Sequence, residues 1–200
     1  MNISIFLFLG ICTSLLFPPY FIFPLGFIVF PYICFFYEKN FDKINKYKNF
    51  FYIFIFYFAF FGNLLIWLKN PFLVFSETEN LFYLPIILIL LLSLICSFIF
   101  TILLSLKNKI PTLFLVPIVF SINEFFVSIL VYGFPWITFS LIISNIDFLS
   151  FIIKYFGTLV TSYIVIQIFC LPYFLLSIKL KKSTYIFYSI FILFPLFLSF

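Results

Sequence analysis

Long apolar runs broken by short polar clusters set the pattern of this chain. Residues 3–17 are apolar up to Pro18-Pro19, and a second run covers 20–37. A charged stretch, 38–48, leads to a third run over 50–67, and a polar loop, 69–80, carries Glu77 and Glu79. The fourth run, 81–106, ends at Lys107-Asn108-Lys109-Ile110-Pro111, where Pro111 suits a helix start. The fifth run, 111–132, is followed by the less clearly helical stretch 133–147, which opens with Gly133-Phe134-Pro135-Trp136. A sixth run, 148–178, is interrupted by Pro172, and a last one covers 185–200. One membrane crossing takes about 20 apolar residues. The pattern therefore predicts an all-α, polytopic membrane helix bundle of about seven transmembrane helices over 1–200, with no soluble domain. The first run lacks the lysine-bearing start and small-residue cleavage site of a signal peptide, so it is read as a short first helix.

Composition turns that pattern into an exclusion. The chain is 66% hydrophobic and 8% charged, with a mean hydropathy of +1.32, whereas a soluble domain is about 45–50% apolar and about 25% charged. The net charge of +5 comes from scattered lysines without a basic stripe, which excludes nucleic-acid binding as the main role. The lysines also give an orientation. Loops after the second, fourth and sixth helices hold Lys39, Lys43, Lys46, Lys48, Lys107, Lys109, Lys179, Lys181 and Lys182, against Lys69 and Lys154 on the other side. The positive-inside bias places the N-terminus in the cytoplasm and the C-terminus outside.

The residue types limit the chemistry. All 11 basic residues are lysine and there is no His, which removes the usual general base, the commonest metal ligand and every His-dependent triad. Cys12, Cys34, Cys96 and Cys170 sit in apolar runs without metal or redox spacing and read as packing residues. Nothing calls for a metal or cofactor. The 38 phenylalanines fit an AT-rich coding bias and read as lipid-facing filler.

Glu124 is the acid well inside a predicted span, about nine residues and roughly 13 Å before Gly133. An intramembrane carboxylate is costly and marks either a functional group or a hydrogen-bonded clasp, with Asn123 or Asn63 as partners. Trp136 follows Phe134-Pro135, where Gly133 and Pro135 favour a re-entrant bend. The plainer reading of Trp136, and of Trp67 with Lys69, is an aromatic belt with a snorkelling anchor. Gly62 and Asn63 suit a helix–helix contact, and Pro18-Pro19-Tyr20 a short outer turn. No internal repeat and no paired intramembrane charges are visible.

Taken in order, these pieces resemble one family. Gly10, Leu16-Phe17-Pro18-Pro19-Tyr20, Phe61-Gly62 before Trp67, and Asn123-Glu124-Phe125 before Gly133-Phe134-Pro135-Trp136 are similar to the N-terminal membrane domain of apolipoprotein N-acyltransferases. The resemblance implies seven helices in a bacterial inner membrane. It also implies a phospholipid acyl donor admitted sideways, and transfer to the N-terminal diacylglyceryl-cysteine of a lipoprotein. Gly133, Phe134, Pro135 and Trp136 would line the mouth where lipid enters, and Glu124 would organise the helix-five end of that cavity. Two departures stand out. Val127 and Ser128 occupy positions where the family usually has Arg-Gly. The family's nitrilase-like domain, with its Glu base, oxyanion-stabilising Lys and Cys nucleophile, has no counterpart in these residues. The expectation is a truncated or split enzyme whose isolated membrane chain is inactive, with a separate nitrilase-like chain as its partner. Two other readings fit the residues: a small permease or lipid transporter with Glu124 as coupling carboxylate, and a non-catalytic membrane scaffold.

Overall fold

The computed structural model describes residues 3–130 and 137–177, together with Ile186, and no strand occurs among them. Among the described residues seven α-helices form: α1 (Ile3–Ser14), α2 (Gly26–Asn40), α3 (Lys46–Leu65), α4 (Leu84–Leu104), α5 (Thr112–Leu130), α6 (Asp147–Phe169) and α7 (Leu171–Leu176). Helix α1 lies along α3 and α3 along α4, while α5 contacts both α4 and α6. Helix α2 packs on α5, α6 and α7. Four helical stretches, Lys46–Leu73, Glu79–Asn108, Thr112–Leu130 and Ser150–Phe169, are long and apolar enough to cross a membrane. Large apolar side chains such as Phe8, Ile28, Phe98 and Ile129 point outward. This is the helical membrane bundle that the apolar runs predict.

The helices depart from the apolar runs where local chemistry intervenes. The second run starts at residue 20, but α2 begins only at Gly26. Pro18-Pro19, with a cis peptide bond, Phe21 at φ +48° and a 3-10 turn at Phe23–Leu25 come first. The expected short turn is thus an irregular connection reaching to Leu25. Helix α3 starts at Lys46, earlier than its apolar run, because Asn45 caps it through its side-chain oxygen, 3.3 Å from the Tyr47 amide. The sixth run divides twice. Gly157 adopts φ +74°, ψ 174° inside α6, a conformation essentially confined to glycine that costs other residues about 1–3 kcal/mol. The chain breaks again at Cys170, so that Pro172 opens α7 within its first two positions instead of kinking a longer helix. Of the last run, 185–200, only Ile186 lies among the described residues.

Between lipid-embedded helices the solvent gives no hydrophobic drive to associate, so shape and hydrogen bonds have to hold them. Two glycines allow close approach. A Cβ on Gly10 would meet the Phe56 carbonyl oxygen and lie 2.9 Å from the Ala59 Cβ, which sets α1 directly on the α3 backbone. One on Gly26 would lie 2.5 Å from the Phe169 ring. Gly62, expected at a helix contact, has open space where its Cβ would be. Along α4 the hydroxyls of Ser93, Ser97 and Thr101 each donate to the carbonyl one turn back, which satisfies them within the helix.

The phenylalanines are not filler alone. Phe17, Phe30, Phe120, Phe139 and Phe169 are buried. Ring centroids lie 5.2 Å apart for Phe30–Phe120 and Phe17–Phe139, 5.8 Å for Phe120–Phe139 and 5.7 Å for the stacked Phe30–Phe169 pair. Such pairs contribute about 0.5–1.5 kcal/mol each beyond area burial, and here they join α2, α5, α6 and the segment after α5. The reading of phenylalanine as lipid-facing filler holds for residues such as Phe98 and fails for this core, because composition does not record which face a ring occupies.

Candidate functional site

A groove of about 740 Å³ opens at the C-terminal ends of α1 and α3. One wall is Ser14 with Pro18, Pro19 and Tyr20, and the facing wall runs from Asn63 through Trp67. Leu141 of a 3-10 helix, Phe139–Ile143, completes the lining. The lining is mainly apolar, and its polar feature is a strap between the walls: Asn63 Nδ2 donates to Ser14 Oγ at 2.6 Å, and Ser14 Oγ donates to the Ile11 carbonyl at 2.6 Å. Trp67 is 40% exposed, neither packed away nor fully in the surroundings. The volume falls in the range of about 300–1,000 Å³ typical of small-molecule sites.

Glu124 does not line this groove. It is 5% exposed and serves as a joint between three segments. Its Oε2 accepts the Phe139 amide at 3.0 Å, and its Oε1 accepts the Ser162 hydroxyl at 2.9 Å. Ser162 Oγ in turn accepts the Ser140 amide at 2.9 Å. A buried carboxyl needs such donors, because leaving one unpaired costs several kcal/mol. The joint fastens α5 and α6 to the start of the 3-10 helix that presents Leu141. Neither amide considered as a partner in the sequence bonds it: Asn123 Nδ2 donates to the Tyr57 hydroxyl at 2.6 Å, and Asn63 to Ser14. The reason is geometric, since α5 turns Asn123 towards α3 and Glu124 towards α6.

Gly133, Phe134, Pro135 and Trp136 lie outside the described residues. Sequence reading missed Ser14, Ser162 and the Phe139 amide. Ser14 and Ser162 are isolated hydroxyls in apolar runs, which flags a polar contact without naming its partner.

The opposite end holds a second polar cluster. Glu38 Oε2 accepts Tyr173 Oη at 3.0 Å and Thr112 Oγ1 at 3.3 Å, and Lys107 Nζ donates to the Glu38 carbonyl at 3.3 Å. These bonds tie α2 to α5, to α7 and to the segment after α4. All four cysteines are free and buried, with Cys34 Sγ 3.8 Å from Cys170 Sγ. No group of three His, Cys, Asp or Glu that could hold a metal occurs among the described residues.

A family profile, that of the apolipoprotein N-acyltransferase N-terminal domain, matches residues 9–171. Nothing among curated proteins matches the chain. The matched span contains the whole lining of the groove, the Glu124 joint and Gly133 to Trp136. The chain belongs to the family of apolipoprotein N-acyltransferase N-terminal domains.

Proposed function

We propose that these helices are the membrane part of an N-acyltransferase, which moves an acyl chain from a phospholipid to the α-amine of a lipoprotein's N-terminal diacylglyceryl-cysteine. The groove carries this reading. It is mainly apolar, of a size for part of a lipid, and it opens at the bundle end that bears few lysines. In this reading a donor phospholipid enters sideways from the outer leaflet of a bacterial inner membrane, with its chain along Leu64, Trp67 and Leu141. By the family resemblance, this reading assigns the lipid-entry role to Gly133, Phe134, Pro135 and Trp136. Glu124 acts as a positioning residue, because it fixes the turn that carries Leu141. Acyl transfer through a thioester needs an activated thiolate with a base and oxyanion donors close by. The four cysteines of this chain are buried inside the bundle, away from water and a substrate amine, so this reading gives the reaction to a nitrilase-like domain and expects the 200-residue chain alone to be inactive.

The test is photolabelling in vesicles with a phospholipid bearing a diazirine on its acyl chain, mapped by peptide mass spectrometry. Label should concentrate on Leu64, Trp67 and Leu141 relative to Phe98, which is 61% exposed on another face. Leu141→Trp, which narrows the groove, should cut groove labelling several-fold and leave Phe98 unchanged. Equal labelling of all outward-facing positions, or no response to Leu141→Trp, overturns the reading.

A further inference from the structure

A second cavity, of about 400 Å³, lies at the other end of the bundle, between the end of α2, the first turn of α3 and the last turn of α4. Phe41, Ile44, Ile102 and Leu104 give it an apolar interior, while Lys46 and Asn49 line it with donors. Asn49 is 7% exposed and lines the cavity; its Oδ1 accepts the Tyr37 hydroxyl at 2.9 Å, which leaves its Nδ2 to donate to an acceptor held there. The start of α3 adds more donors. Its first amides have no helical acceptor, and only that of Tyr47 is taken by Asn45. The hydroxyls of Thr101 and Ser105 already donate to the Ser97 and Ile102 carbonyls, so they present lone pairs to the cavity.

The surrounding charge has one predominant sign. Lys107 Nζ sits 4.9 Å over the Phe41 ring, and Lys39, Lys43, Lys48 and Lys109 are exposed at the same end. The acids of this region are Glu38, whose carboxylate is engaged by Tyr173 and Thr112, and Asp42, on the exposed turn Phe41–Lys43. A basic rim over an apolar interior between membrane helices is the arrangement that takes an anionic lipid headgroup. We propose that this cavity seats one anionic phospholipid. Its phosphate lies on Lys46, the Asn49 amide and the α3 N-terminus, its acyl chain lies among Ile44, Ile102 and Leu104, and headgroup hydroxyls donate to Thr101 and Ser105. The site is separate from the groove, at the opposite end of α3, and does not depend on the acyltransferase reading.

Native mass spectrometry of the purified 200-residue chain in detergent tests it, with dioleoyl phosphatidylglycerol, dioleoyl phosphatidylethanolamine and inorganic phosphate as probes. The phosphatidylglycerol adduct should exceed the phosphatidylethanolamine adduct at least fivefold and survive millimolar phosphate. Lys46→Glu should reduce it about tenfold, whereas Lys69→Glu, exposed at the opposite end of the bundle, should change it less than twofold. Ile102→Trp, which fills the apolar part with every charge intact, should also reduce it, and helix content by circular dichroism should be unchanged in all three. Equal losses for Lys46→Glu and Lys69→Glu would reduce the effect to general charge attraction. Displacement by phosphate would make the cavity a free-anion pocket. Equal adducts of the two lipids would remove the selectivity. Each of these outcomes overturns the proposal.

Discussion

At the scale of single residues, Glu124 has the clearest energetic consequence. Glu124→Leu removes both acceptors and strands the Phe139 amide and the Ser162 hydroxyl in a buried place. Each stranded donor costs about 1–3 kcal/mol, so the variant should lose about 2–6 kcal/mol in reversible unfolding in mixed micelles. Glu124→Gln retains one acceptor and should lose less than half as much. A Leu variant as stable as the parent would show that the joint does not hold the segments. The presence of a costly carboxylate was legible in the sequence, because no other acid falls well inside an apolar run. Its partners were not. Ser162 is 38 residues away and Phe139 contributes only its backbone, which carries no side-chain signature. Trp67 shows the reverse case: an aromatic residue at a helix end reads as a belt member, and only the fold sets it on a groove wall beside Asn63.

At the scale of helices, the crossing of α1 over α3 depends on one missing methyl group. Gly10→Val should push α1 off the Phe56 carbonyl and cost about 1–3 kcal/mol, as overpacking does in other cores. Gly62→Ala, with nothing near its Cβ and helical backbone around it, should instead stabilise by about 0.4–1 kcal/mol. Thermal unfolding in detergent of both variants against the parent measures the contrast, and similar effects at the two sites would contradict it. The existence of the helices was legible from run length alone. Their ends were less so, since Asn45 starts α3 early and Pro18, Pro19 and Pro24 delay α2. The breaks at Gly157 and Cys170 were hidden because glycine at φ +74° looks, in sequence, like any glycine in an apolar run.

At the scale of the whole molecule, the two ends differ in charge, and that asymmetry predicts an orientation. With Thr78→Cys, a membrane-impermeant maleimide should label intact spheroplasts; with Lys48→Cys, it should label only after permeabilisation. Thr78 lies in the loop between α3 and α4, Lys48 in the first turn of α3, and the native cysteines are buried. Labelling in the opposite order would invert the bundle and put the groove on the cytoplasmic leaflet. The arrangement of helices around an aromatic core could not be read from the sequence, because 38 phenylalanines supply many possible pairings and only three-dimensional packing selects among them.

The length of α1 bears on the membrane itself. Helix α1 has 12 residues, which gives a rise of about 18 Å against a hydrocarbon layer of about 30 Å, whereas 3-10 turns at Phe23–Leu25 and Phe41–Lys43 extend α2 at both ends. Helices α3 and α4, with 20 and 21 residues, match that layer. In a bilayer the hydrophobic mismatch would fall on the lipids next to α1, where thinning costs fractions of a kcal/mol per Å. The groove opens at the C-terminal end of α1, beside that mismatch. In the proposed role, the phospholipid that the groove takes comes from this thinned annulus, and moving it out of the leaflet would release some of the strain.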